Sequence, residues 1–260
     1  MNTVNPALIL GCVFALALPL ALLIWWKKKT HAPLWEFAVG ALCFIGFAVV
    51  LEPFLHQLCL MGDNAVSRAI SASPLLYALY GAFAAGIFEE TGRLFGFAVL
   101  LRRRREKSCA VAYGIGHGAI EVILILGLYY FTMLLAQLGV TLGEEITTAS
   151  VRAAAAAIPV YIACIACFER LSAMCIHIGL SMIVFAAVRE RGRLWLYPVA
   201  ILLHALADIG AGFYQCGVFK SVFIVELWAL ALGAVCIALG VKLLYGKKER
   251  PDAEASEADE

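Results

Sequence analysis

The chain is built from long apolar runs punctuated by short polar clusters. The runs lie near residues 6–26, 33–54, 75–101, 109–137, 157–188, 194–214 and 220–244. Each is long enough to cross about 30 Å of hydrocarbon as a helix. The pattern predicts an all-α, polytopic transmembrane bundle of seven spans. The alternative is eight, because residues 150–189 have room for two short crossings. One crossing there keeps the arginine clusters on a common side, with Pro159 as a break at its start. As one helix, 157–188 would be about 48 Å long, so it must tilt, kink or protrude.

Composition agrees with a membrane protein: 63% of the 260 residues are hydrophobic and 15% are charged, against about 45–50% and about 25% in soluble domains. The net charge of +1 carries no information on partners, but its distribution does. Lys27–Lys29, Arg102–Arg105 with Lys107, Arg189, Arg191 and Arg193, and Lys247, Lys248 and Arg250 make fourteen basic residues in alternate connections. The opposite connections hold three, Arg68, Arg152 and Lys220. The positive-inside rule then places the N-terminus outside and the C-terminus in the cytoplasm.

The first run lacks a basic n-region and is too long for a signal peptide. Trp25 and Trp26 before Lys27 read as an interfacial belt, so the run is expected to be a retained span. A single transmembrane domain over 1–246 is expected, then an acidic, disordered cytoplasmic tail over 247–260. Residues 55–74 and 138–152 read as outer loops, with Glu144 and Glu145 on a solvated face. The arginine run is explained by an anionic inner leaflet and calls for no nucleic acid. The nine cysteines lie mostly inside apolar runs, which argues against a disulfide framework. Cys164 and Cys167 read as packing residues, and Cys59 and Cys216 are candidates for a pair that is not required.

The chemistry lies in ten ionisable residues placed inside spans. They are Glu89, Glu90 and Arg93; His117 and Glu121; Glu169, Arg170 and His177; and His204 and Asp208. Each costs about 2.5–3.5 kcal/mol at a helix centre, so they must face one another or a wet cavity. Glu89 and Arg93, His117 and Glu121, and His204 and Asp208 are four apart, and Glu169 and His177 eight, so each pair shares a helix face. Gly114, Gly116 and Gly118 around His117 permit close approach of another helix or of a substrate backbone. Such a set suits water activation by a carboxylate base, a divalent metal held by His117, His204 and a carboxylate, a proton relay, or structural pairing alone.

The order of motifs resembles a known superfamily. Glu89-Glu90-Thr91-Gly92-Arg93, then Tyr113-Gly114-Ile115-Gly116-His117, then His204-Ala205-Leu206-Ala207-Asp208, are similar to the signature of intramembrane proteases related to type II CAAX prenyl endopeptidases. That superfamily includes the bacteriocin-processing enzymes, the PrsW group and the APH-1 scaffold of γ-secretase. The GHGAIE and FERLSAMCIHIGLS stretches look most like its YhfC branch. The resemblance covers about residues 75–215 and implies a protease-like core there. It implies an intramembrane endopeptidase, a hydrolase acting on a membrane protein or peptide, in which Glu89 activates water. His117 and His204 would hold that water or a metal, and Asp208 would orient a neighbour. Glu90 and Arg93 complete the expected catalytic set. The metal, zinc or another divalent ion, would be held by His117, Glu121 and His204, with Glu169 and His177 as extra ligands or supports. Three departures stand out: Arg93 follows Glu89 by four positions rather than five, Tyr113 replaces phenylalanine, and Asp208 replaces the asparagine of the CAAX enzymes. A non-catalytic scaffold and an ion-coupled transporter are the alternative functions.

Overall fold

The computed structural model describes residues 4–140 and 149–246. Its helices are α1 (Pro6–Thr30), α2 (Leu34–Met61), α3 (Ala65–Ala72), α4 (Pro74–Leu100), α5 (Lys107–Leu138), α6 (Ala149–Ala157), α7 (Val160–Arg189), α8 (Leu196–Gln215) and α9 (Val222–Tyr245). No strand occurs among the described residues. Six helices, α1, α2, α5, α7, α8 and α9, are long and apolar enough to cross a membrane. The pair α3 and α4, which meet at a bend of 112°, brings the number to seven if it is counted as one span. The chain is a multi-pass helical membrane protein.

Residues 150–189 make the one expected crossing and not the alternative two: α7 runs unbroken for 30 residues from its N-cap, Pro159, and the nine-residue α6 precedes it. At about 1.5 Å per residue α6 is far too short to cross. One expectation is corrected: residues 55–74 are not a loop. The second span continues through Met61 by way of wide π turns at Ile45–Leu51 and Gln57–Met61. Asn64 then caps α3 by accepting from the amides of Val66 and Ser67, and Ser73 and Pro74 start α4 as an N-cap and a first-turn proline. Glu144, Glu145 and the 247–260 tail lie outside the described residues. All nine cysteines are free thiols, so Cys59 and Cys216 are unpaired; Cys164 is exposed and Cys167 buried.

The centre of the bundle is α7, with 72% of its apolar stretch buried against 22–33% for α1, α2, α5, α8 and α9. It packs on α1, α5, α8 and α9. Glycine brings α5 against its neighbours. A Cβ at Gly116 would overlap the Phe37 carbonyl of α2, and one at Gly114 would sit 2.7 Å from the Ile178 Cα of α7. This double approach places His117, one residue on, between α2 and α7.

The basic connections that fall within the described residues gather at one end. Arg189 donates to the carbonyls of Arg104, Phe97 and Leu101 at 2.7, 2.9 and 2.7 Å, closing the C-terminus of α4. Arg104 donates to buried Glu36 at 2.6 Å, Trp26 to the Ser108 carbonyl at 2.9 Å, and Lys107 lies 5.3 Å from the Tyr245 ring. Because the α2–α5 crossing has no room for a methyl group, Gly116→Ala is expected to lower stability by about 1–3 kcal/mol. A melting curve in detergent equal to wild type would contradict that close crossing.

Candidate active site

Four helices deliver the polar residues to one depth. From α4 come Glu89, Glu90 and Arg93, and from α5 His117 and Glu121. Arg170 and His177 come from α7, and His204 and Asp208 from α8. Glu90, Arg93 and His117 are 0% exposed, and Glu89, Glu121, Arg170, His177 and His204 are also buried. Glu169 and Asp208 are partly exposed and form the rim.

Glu89 is the point of convergence. Its Oε2 is 2.9 Å from His117 Nε2, 3.8 Å from His177 Nδ1 and 3.8 Å from His204 Nε2. The expected Glu89–Arg93 pair is not formed. Arg93 bonds instead to Glu90, three residues back, through Nη1, and Nη2 donates to His177 Nδ1 at 3.1 Å. Spacings of three and four are equally available on a helix, and the imidazoles of other helices draw Glu89 away. Glu90 Oε1 also bonds His204 Nδ1 at 2.7 Å, so one carboxylate holds both a guanidinium and an imidazole.

A second chain of bonds runs through α5 and α7. Glu121 pairs with His177 Nε2 and accepts from Arg170 Nη1 at 2.7 Å, and Arg170 also bonds Glu169. Arginine only donates, so His177 Nδ1 accepts from Arg93 and Nε2 carries the hydrogen facing Glu121. Both nitrogens of His204 face carboxylates, Glu90 at 2.7 Å and Asp208 at 3.3 Å. That is the environment of an imidazolium, or of a ring whose Nε2 holds a cation.

The charges do not balance. Buried carboxylates outnumber buried guanidiniums three to two, and Glu169 and Asp208 raise the excess. Isolated charge in low dielectric is expensive, so the site accepts cations, either as protons on imidazoles or as a metal ion. One donor atom each from Glu89, His117 and His177 lie within 4.8 Å of one another. A tetrahedral ion about 2.1 Å from its donors needs gaps near ~3.4 Å, which small side-chain shifts would supply. His117 Nδ1 is buried and has no hydrogen-bond partner. The donor set fits a divalent ion, on one condition: Arg93 would release His177 and keep Glu90. This set differs from the one expected from the sequence. His177, assigned there to an outer role, is inside it. Glu121 stands behind His177, and His204, though as near to Glu89 as His177 is, lies outside the group of three donors.

A polar cavity of about 90 Å³ adjoins the site, lined by Glu89, Glu121, His177, His204 and the rim residues Glu169 and Asp208. It has room for a few waters. Alanines 173, 207, 211 and 229 line the rest of it together with Ile176, Val225 and Arg170.

Sequence reasoning missed three buried acids: Glu36 and Glu226 near helix starts, and Glu52 inside α2. Glu52 carried a signal, a histidine four residues on. Glu52 and His56 stand 3.2 Å apart, and His56 Nδ1 is 2.7 Å from the Tyr80 hydroxyl. Phe44 was missed too; its ring meets His117 edge-on at 5.1 Å.

Fold and site together define a polytopic membrane protein whose carboxylates and imidazoles from four spans close on a buried glutamate. The chain belongs to the YhfC family: the family model described as YhfC intramembrane metalloprotease matches residues 14–229. It is 34% identical over 245 residues to the uncharacterized membrane protein YhfC of Bacillus subtilis (strain 168), an alignment covering 90% of this chain and 94% of that one. No solved structure matches the chain significantly.

Removing one partner of a buried ion pair costs about 3–5 kcal/mol. Arg93→Ala is therefore expected to lower the melting temperature sharply. Combining it with Glu90→Gln should recover part of the loss, because Glu90 then no longer carries the charge that Arg93 offset. Additive losses in the double variant would contradict the Glu90–Arg93 pairing.

Proposed function

We propose that this chain is an intramembrane endopeptidase that hydrolyses a peptide bond in or near the bilayer. The observation that carries this reading is the convergence of three imidazoles on one buried carboxylate beside a polar cavity. In this reading Glu89 Oε2 takes the proton of the attacking water, which stands among His117, His177 and His204. His204 Nε2 offers a proton toward the developing oxyanion or the leaving amine, and Glu90 fixes the ring that carries it. Arg93 neutralises Glu90, which leaves Glu89 as the unpaired base. Asp208 steadies His204 from the rim.

A divalent ion, the group that the family description implies, would be held by Glu89, His117 and His177, and Glu89 would then serve as a ligand in place of a free base. When bound, it would polarise the scissile carbonyl and make water acidic near neutral pH. Glu121, itself held by Arg170, would then fix the far side of His177, the kind of outer support that sets ligand orientation. The substrate class is a membrane-embedded protein or peptide. A substrate would approach past the rim at Asp208, where the lining side chains of Ala207 and Ala211 are small. The basic end of the bundle is assigned to the cytoplasm by the positive-inside rule, with the N-terminus outside. A non-catalytic scaffold would have no use for this convergence of bases.

The test compares new protein termini in native membranes carrying either the wild-type chain or Glu89→Gln at matched expression. Termini that form with wild type and fall by about two orders of magnitude or more in Glu89→Gln are expected. Identical termini from both, with both chains folded, would contradict the assignment of Glu89 as base.

A further inference from the structure

The end of the bundle that gathers the basic residues holds a second cavity, separate from the carboxylate site. It measures about 420 Å³ and opens between α7, α8 and α9. Its walls are Ile183, Leu196, Val199, Leu203, Leu239 and Leu243, and its rim carries Arg193, Trp195 and Lys242. Leu196, Val199 and Leu203 lie three and four residues apart on one face of α8, and Leu239 and Leu243 four apart on α9. Seven residues of helix make the slot about 10 Å deep along α8.

Lys242 gives the rim its excess positive charge, since Glu190 offsets Arg193. Glu190 holds Arg193 through Nε and Nη1, both at 3.2 Å, which fixes the guanidinium in place. Lys242 forms no ion pair among the described residues. Trp195 is 61% exposed at the same rim, in the manner of aromatic residues at the bilayer interface. The rim therefore lies at headgroup level and the slot runs from it into the hydrocarbon.

A free anion would leave the apolar walls uncovered, and a neutral apolar molecule would leave Lys242 without a counter-charge. Basic pockets between transmembrane helices suit acidic lipid headgroups. We infer that this slot binds an anionic phospholipid, with its phosphate between Arg193 and Lys242 and one acyl chain along Val199, Leu203 and Leu239. Leu203 is the neighbour of His204, so the bound chain packs against the helix that carries a site imidazole.

The experiment is native mass spectrometry of the full chain released from detergent, with phosphatidylglycerol and phosphatidylcholine of identical acyl chains. One phosphatidylglycerol retained per chain, with phosphatidylcholine lost, is the expected result. The double variant Arg193→Gln/Lys242→Gln is expected to bind phosphatidylglycerol about 30-fold more weakly, on the scale of two basic residues at an anionic surface. Val199→Trp fills the slot and keeps both charges, and should abolish retention. Equal retention of the two lipids, or wild-type affinity in either variant, overturns the inference. So does inorganic phosphate that raises the melting temperature as much as phosphatidylglycerol does, which would make this a site for a free anion. If the double variant does not fold, Lys242→Gln alone is judged by the same criterion.

Discussion

The interaction on which the rest depends is the burial of Glu90 with Arg93 at the centre of the bundle. Two charges removed from water lose several kcal/mol of hydration each, and only a close, well-bonded partner recovers it. Glu90 answers to Arg93 and His204 at once, and Arg93 to Glu90 and His177. Three helices are thereby tied at one depth. The glycines of α5 then let His117 reach Glu89. Arg170 repeats the device further along, where it compensates Glu121 and Glu169. With both guanidiniums committed, Glu89 is left facing only imidazoles.

Much of this was legible in the sequence, and the reasons are physical. Charge inside an apolar run is costly wherever it sits, so Glu89, Glu90 and Arg93 announce a shared interior without any knowledge of the fold. Helix periodicity likewise puts His204 and Asp208 on one face, and they stand 3.3 Å apart. Pro159 marks the start of α7, as its fixed backbone angle suggests.

What stayed hidden depends on tertiary structure. Whether Arg93 takes Glu89 or Glu90 is decided by His117 and His177, which arrive from other helices. His177 sits in no short motif, and its place beside Glu89 follows from α7 being the central helix. The π turns that extend α2, and the bend of 112° between α3 and α4, leave no periodic trace in an apolar run. Glu36 and Glu226 lie near helix ends, where acids usually reach water, and only packing shows that they are covered.

The surplus of negative charge around Glu89 is the claim that most needs a direct answer, because it separates a site built for a divalent cation from one balanced by protons. Elemental analysis of the purified chain, set beside His177→Ala and Asp208→Asn, addresses it without a known substrate. The account predicts about one equivalent of a divalent metal per wild-type chain, lost in His177→Ala and kept in Asp208→Asn. A folded wild-type chain that stays free of metal after loading with zinc or manganese would contradict it, as would full occupancy in His177→Ala.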